Sequence, residues 1–338
     1  MPIAKRKLGR TGLDVTVLGF GGAPLGDIYQ VLDDQIAIAT VETAAQAGVT
    51  LFDAAPLYGQ GMAEHRIGTA LRRQPPEDLV LSTKVGRLLV PAPKGRTKTT
   101  RYVGGLSFNV VNDYSYDAAM RSHEASLQRF GLPKVDVLLI HDADAWSHGP
   151  EEGPKRYREA MSGAYRALEK LRSESVIKGI GIGVNDPVYA ARYLREGDFD
   201  CFLLAGRYSL LEQPALAEVL PLAAQKNVGV MLGGVFNSGI LATGPVQGAR
   251  YNYVEAPPQI VAKVERISRV CESHGVSLSE AAIHFCFGHP AVSSLVLGAV
   301  TPDEVRRNVA AVSKPVPAAL WSDLKAEKLL DAAAPTPG

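Results

Sequence analysis

The sequence is poor in cysteine, has no long apolar run and carries no excess of either charge, and each absence removes a class of protein. Its three cysteines, Cys201, Cys271 and Cys286, cannot all pair, and none falls in a C-x-x-C motif. Neither a disulfide framework nor a cysteine-rich zinc site is supported, and a reducing compartment is expected. No stretch of about 18 apolar residues is available to span a bilayer. The basic start of the chain runs into glycines and Asp14 where a secretory signal needs a continuous apolar segment. The expectation is a soluble, cytoplasmic protein with no membrane partner. With 36 basic against 35 acidic residues, no overall field draws the chain to nucleic acid or anionic lipid. A small molecule without strong charge is the expected substrate, and oligomeric state is left open.

What is present is a periodic alternation. The 338 residues are 46% hydrophobic, enough to enclose a large core. Short runs rich in Val, Ile, Leu and Phe occur at 15–20, 50–54, 79–84, 135–140, 178–183, 200–205, 228–233 and 294–298. Several are nearly continuous apolar runs, the pattern of parallel strands buried on both faces. Between them, segments 34–47, 63–73, 116–130, 159–173, 187–196, 214–226, 259–274 and 302–312 have the length and period of crossover helices, with an extra one at 277–288. This predicts an α/β fold: one (β/α)8 TIM barrel domain over 1–338. Two departures are expected from the regular pattern. A β-hairpin around Lys7–Val15 should plug the bottom of the barrel. A long loop after strand three, 86–115, is too long for a plain turn and should face the substrate. The tail, 332–338, is expected to fray.

Glycine pairs at Gly19-Phe-Gly21 and Gly181-Ile-Gly183 lack the third glycine of a dinucleotide-binding fingerprint and are better read as tight strand ends. The ionisable residues are more informative. Asp53, Lys84 and His141 fall at or just past the C-terminal ends of strands two, three and four, where barrel active sites are built. Any one has a bland reading: a helix cap, an ion-pair partner, a satisfied polar group. Three on adjacent strands, with Tyr58 in the loop after Asp53, form a candidate proton-transfer site. Asp53 would orient the Lys84 ammonium. Lys84 beside Tyr58 would lower the phenol below its usual value near 10, so that it could exchange a proton with an alcohol or carbonyl oxygen.

At these residues the chain resembles the aldo-keto reductase superfamily. Leu51-Phe-Asp53-Ala-Ala-Pro-Leu-Tyr58-Gly59, with Ala63-Glu64-His-Arg-Ile67-Gly68-Thr-Ala-Leu71, Ser82-Thr-Lys84-Val85 and Leu138-Leu-Ile-His141, follows its order and spacing over nearly the whole chain. The resemblance implies that Tyr58 is the general acid/base, that Lys84 and Asp53 tune it, that His141 orients the substrate oxygen, and that Asn185 grips a nicotinamide carboxamide. Phe236, Asn237 and Ser238 are implied as pyrophosphate contacts by position. Local phrasing is closest to the sugar-oxidising branch of D-threo-aldose, L-fucose and galactose 1-dehydrogenases, which is similar to pyridoxal dehydrogenase: Lys84-Val-Gly-Arg-Leu-Leu89, Asp113-Tyr-Ser-Tyr-Asp117, Ser126-Leu-Gln-Arg129, His141-Asp-Ala-Asp144 and Ala205-Gly-Arg-Tyr-Ser-Leu-Leu211. Three departures concern the cofactor pocket. Ala205 and Gly233 stand where many members carry a glutamine and an aromatic that cradle the nicotinamide, and Val184 replaces a serine.

Cofactor choice turns on the last strand. Where NADP-preferring relatives place an arginine four residues before the equivalent of Asn308, this chain has Glu304, and Gly298-Ala299 replace a lysine and a serine. A carboxylate accepts a hydrogen bond from a ribose 2′-hydroxyl but repels a 2′-phosphate, so NAD is favoured, with NADP possible through Arg306 or Arg307. Thr301-Pro302-Asp303-Glu304 is also an ordinary helix start. His284-Phe-Cys286-Phe-Gly-His289 lies in an apolar helical run and reads as core, not a metal site. Trp146 and His148 follow His141, and Trp146 is a candidate for the substrate mouth. The first reading is therefore an NAD-linked aldose 1-dehydrogenase yielding a lactone. An NADPH-dependent aldehyde or ketone reductase, a pyridoxal 4-dehydrogenase and a cofactor-sensing regulatory subunit are the alternatives.

Overall fold

In the computed structural model, residues 2–73, 75–92 and 101–337 are described. Eight parallel strands close into a barrel in sequential order: β1 (Leu18–Gly21), β2 (Leu51–Asp53), β3 (Val80–Val85), β4 (Val137–His141), β5 (Gly179–Val184), β6 (Cys201–Ala205), β7 (Gly229–Gly233) and β8 (Val292–Gly298), with β8 pairing back to β1. The expected strands all form, with ends moved by a few residues. The largest shift is at the first: Val15 belongs not to β1 but to the hairpin ahead of it, Lys5–Lys7 paired with Asp14–Thr16. That hairpin closes the bottom of the barrel. Leu8 and Val15, both fully buried, pack against Leu51, Leu139, Cys201, Leu203 and Met231 inside the strand ring. Gly9 is required there because a Cβ would lie 2.1 Å from the carbonyl oxygen of Asp200 at the start of β6. With the bottom sealed, only the C-terminal end of the ring is open to ligands.

Helices cover the outside. Two that immediately frame the open end are capped by side chains: Asp186 accepts from the amides of Val188 and Tyr189, and Thr301 accepts from that of Glu304. Five features depart from expectation. The helical segment expected at 159–173 is instead two helices, Ala145–Ser162 and Ala164–Ser173. The first tolerates Pro150 because it breaks at Gly149 (φ 82°) and restarts there, which puts Pro150 at a first helical position where its missing N–H is not needed. The long connection after β3 contains an antiparallel hairpin, Arg87–Pro91 with Phe108–Asn112; its residues 93–100 lie outside the described set. A second short hairpin, Arg250–Tyr251 with Val254–Glu255, stands above the barrel mouth. A helix at Ala318–Ala326 follows the expected ones, and the tail is not frayed: Ala334 is buried and accepts a bond from Lys325 Nζ, and the backbone of Pro335 packs on Gly288. Among the described residues, no helix is long and apolar enough to cross a membrane.

Candidate active site

The strand period places Ser82 and Lys84 on one face of β3, pointing into the barrel mouth toward Asp53 at the end of β2. Gly183 on β5 leaves room for the lysine stem, since a Cβ there would stand 3.2 Å from Lys84 Cε. Lys84 Nζ donates to Asp53 Oδ2 at 2.6 Å and to the Ala54 carbonyl at 2.7 Å, and Ser82 Oγ donates to Asp53 Oδ1 at 2.9 Å. Both charged groups are buried. Burial pushes the Asp53 carboxyl up, while the Lys84 ammonium and the Ser82 hydroxyl oppose it. The pair is held by geometry and hydrogen bonds as well as charge, which a desolvated ion pair requires.

Tyr58 is partly buried on this pair, with Lys84 Nζ 4.7 Å from its ring centre, within cation–π range. His141 meets the Tyr58 ring edge-on, centroids 5.7 Å apart at 88°. The four expected residues are therefore brought together. The electrostatics depart from expectation: the Tyr58 phenol is raised well above its ordinary value, by burial first and then by Asp53. Lys84 faces the ring while its bonds are committed to Asp53 and Ala54, so the resting phenol keeps its proton. His141 is pushed well below its usual value by burial, with Arg87 and Lys84 adding to the effect. A neutral imidazole has one N–H to donate and one lone pair to accept, and Nδ1 has no partner. The arrangement offers a phenol and a neutral imidazole to one oxygen atom.

Sequence reasoning missed the surroundings of His141. Arg87 Nη2 donates to Asp142 Oδ2 at 2.8 Å, and that oxygen lies 3.5 Å from His141 Nε2. Asp142 is turned toward the site by a left-handed backbone, φ 50°. Tyr114 donates to the His141 carbonyl at 2.7 Å. The signals were Arg87 in the Lys84–Leu89 stretch, Tyr114 in Asp113–Asp117 and Asp142 in His141–Asp144, each read only as phrasing.

Two residues further on, Asp144 is fully buried, caps a helix through Ser147, and has an Oδ2 without a partner. Burial, followed by repulsion from Asp142, pushes its carboxyl up to about 7. A carboxyl raised on folding binds its proton more tightly in the native state, so its ionisation subtracts stability as pH rises from about 4 to about 7, and the loss is complete above that. Asp144→Asn keeps the cap and removes the charge. Chemical denaturation should find it more stable than the parent by roughly 4 kcal/mol at pH 8 and nearly equal at pH 4; an equal difference at both pH values would contradict the assignment.

A cavity of about 490 Å³ opens beside Tyr58 and runs across the barrel mouth to the helix Pro302–Ser313, within the usual range of about 300–1,000 Å³ for small-molecule sites. Asn185, Phe236, Asn237, Ser238, Gly298, Glu304 and Asn308 all line it, with Tyr58 and Asp53 at one end. Asn185 Nδ2 lies 3.4 Å from the Ala205 carbonyl and 3.4 Å from Tyr253 Oη. Asn237 gives Nδ2 to Glu212 and has a buried Oδ1 without a partner. Ser238 Oγ is engaged by the Tyr253 amide at 2.9 Å. Glu304 closes the helix start, its Oε2 accepting from the Val300 amide at 2.8 Å, and it borders the cavity. Of the two nearby arginines, Arg307 lines the cavity and Arg306 pairs with Asp303.

Trp146 is not in the cavity wall. It is 47% exposed, and the Arg207 guanidinium lies 4.4 Å from its ring centre. Arg207 in turn donates to the Asn185 carbonyl at 2.7 Å. The His284–His289 stretch is engaged in packing: His284 Nε2 bonds the Ala311 carbonyl, and His289 Nδ1 accepts the Ala291 amide. Among the described residues no group of three or more His, Cys, Asp or Glu could hold a metal ion.

Comparisons with known proteins agree with this geometry. The model of the Aldo/keto reductase family matches residues 17–327, from β1 to the last helix. Pyridoxal 4-dehydrogenase of Microbacterium luteolum is 41% identical, covering 96% of this chain and 98% of its own. D-threo-aldose 1-dehydrogenase of a Pseudomonas species is 37% identical, covering 96% and 97%. The holo form of an aldo-keto reductase from Bacillus halodurans superposes with a TM-score of 0.74 at 26% identity, over 98% of both chains. A sealed (β/α)8 barrel, four converging residues at its open end and a family match over nearly its whole length lead to one conclusion: the chain is an oxidoreductase that belongs to the aldo/keto reductase family.

Proposed function

We propose that this chain, taken as one barrel domain over 1–338, oxidises the anomeric hydroxyl of a cyclic hemiacetal to a lactone, with NAD as the acceptor. The observation that carries the reading is that Tyr58 and Glu304 border one continuous cavity, joining proton transfer at one end to ribose recognition at the other. The residues present fit a nicotinamide dinucleotide. Gly21, Ala205 and Gly233 leave a flat floor near Tyr58, Asn237 Oδ1 is an unmet buried acceptor, and a capped helix start faces the far end. Asn185, Phe236, Asn237, Ser238, Gly298, Glu304 and Asn308 would hold it. When bound, this group accepts hydride from the substrate carbon.

The remaining steps belong to the chain. His141, kept neutral, donates a hydrogen bond to the anomeric oxygen and fixes its direction. Tyr58 takes the proton of that hydroxyl as the carbon is oxidised. Because burial raises the Tyr58 phenol, ionisation is the uphill part, and oxidation is expected to accelerate toward alkaline pH. Lys84 and Asp53 hold the phenol in place. The Arg87–Asp142 pair beside His141 supplies a donor and an acceptor for further hydroxyls, which an aliphatic aldehyde would leave unmet. Trp146 acts at one remove, by stacking on the arginine that braces Asn185. Sugars in the pyranose form and pyridoxal, whose aldehyde closes on its own hydroxymethyl group, share the hemiacetal carbon. The names of the two relatives above fit that shared chemistry.

Reduction of NAD and of NADP, measured over L-fucose, L- and D-galactose, D-arabinose and pyridoxal, tests the reading. NAD-linked lactone formation with at least one is expected; activity confined to NADPH-dependent aldehyde reduction would overturn it. Glu304 is tested separately. A lost or gained charge-assisted contact is worth roughly 1.5–3 kcal/mol, so Glu304→Arg should raise the NADP-to-NAD ratio of kcat/KM by about ten- to a hundredfold. An unchanged ratio removes Glu304 from cofactor choice.

A further inference from the structure

At the strand ends, Gly21, Leu203, Ala205 and Gly233 line the cavity and bring no aromatic side chain to it. The roof has one. Tyr253 sits in the two-residue turn between Arg250–Tyr251 and Val254–Glu255, and both turn residues have positive φ, 48° at Asn252 and 69° at Tyr253. This is the type I′ arrangement, in which the second position strongly prefers glycine. A tyrosine there is a strained choice, since the left-handed region is a genuine outlier for a bulky residue, and the local fold does not ask for it. The strained tyrosine lines the ligand cavity. Its hydroxyl lies 3.4 Å from Asn185 Nδ2, its amide donates to Ser238 Oγ at 2.9 Å, and the Arg101 guanidinium lies over one face of its ring, 4.1 Å from the centre. The ring is therefore held over the stretch between Tyr58 and Asn185 by three separate contacts. Strain of this kind persists where the surroundings enforce it, and it clusters at ligand clamps.

Hydride can reach the acceptor only if the reacting ring lies beside the carbon whose oxygen touches Tyr58 and His141. A flat, electron-poor nicotinamide held there would lie among Tyr58, Ala205, Gly233 and Tyr253, which line the same cavity. We propose that Tyr253 is the positioning residue that covers the nicotinamide ring, stacking from the roof hairpin because the floor offers no aromatic. The inference rests on the reading of the site as a nicotinamide pocket but not on which substrate is oxidised.

The turn geometry supplies a test that separates function from folding. Tyr253→Gly puts the preferred residue into the turn, so ligand-free thermal stability should be equal to or above that of the parent. Calorimetric titration then compares the intact dinucleotide with ADP-ribose, which lacks the nicotinamide. Tyr253→Gly is expected to weaken NAD binding about tenfold and to leave ADP-ribose binding within about twofold. Tyr253→Phe, which keeps the ring and loses only the hydroxyl near Asn185, should stay within about threefold of the parent for both. Equal losses for NAD and ADP-ribose would make Tyr253 a general strap and overturn the proposal, as would unchanged NAD affinity in Tyr253→Gly. If NAD binds as described but no hemiacetal is oxidised, the proposed reaction fails and the assignment of Tyr253 stands.

Discussion

Replacing Tyr58 with phenylalanine is expected to lower turnover about a thousandfold while nucleotide affinity changes by less than about threefold. The substitution removes one oxygen and leaves the ring, with its contacts to Lys84 and to the edge of His141, so the surrounding packing has no reason to move. What is lost is the only group that can carry the substrate proton away at that point; His141 is held neutral by burial and by two nearby cations, and would be a poor substitute base. General acid–base contributions of this kind are typically about 10²–10⁴-fold. Single-turnover rates combined with nucleotide titration give both quantities. Retention of more than about a tenth of the parent rate would remove Tyr58 from the proton path.

The second large effect is on stability. Lys84→Met is expected to destabilise the protein by about 3–5 kcal/mol at neutral pH, because it strips a buried carboxylate of its partner. Asp53 is already pushed up by burial and brought down by Lys84. Without the lysine it rises further and binds a proton on folding in the neutral range. The sign follows: the variant's deficit should shrink as pH falls toward the unfolded carboxyl value near 4 and be largest at alkaline pH. Asp53→Asn combined with Lys84→Met removes both charges and should recover much of the loss. Urea melts of the single and double variants at pH 5 and pH 8 measure this. A deficit that is the same at both pH values, with no recovery in the double variant, would mean that lost packing, not the stranded charge, is the cause.

The architecture was legible because its signals are local and redundant. Near-continuous apolar runs such as Val137–His141 and Gly179–Val184 announce strands buried on both faces, and caps such as Ser115 and Ser277 mark helix starts in the sequence. The four site residues were legible for a related reason: each sits at a fixed offset from a strand end, and the fold turns those offsets into one location. Helix Ala145–Ser162 was not, because Gly149, Pro150 and Pro154 all argue against a helix and the break that reconciles them is a matter of backbone geometry. The Tyr58–Lys84 relation was half legible. Proximity follows from strand order, but whether the ammonium meets the phenol oxygen or its ring depends on which acceptors capture the lysine protons, and Asp53 and Ala54 take two of the three. Tyr253 left no trace, since two-residue strands carry no periodicity. Its only mark is a tyrosine where a glycine would fit better, and that becomes visible only once the turn is known.

The central claim, that Tyr58 removes the proton of an anomeric hydroxyl as hydride leaves the same carbon, meets its most direct test in the rate of NAD reduction across pH with substrate carrying deuterium or hydrogen at the anomeric position. The account predicts a deuterium-sensitive rate that climbs from neutral to alkaline pH and levels off once Tyr58 is ionised, with lactone formed in step with reduced nucleotide. A fully deuterium-sensitive rate that is flat from neutral to alkaline pH would contradict it.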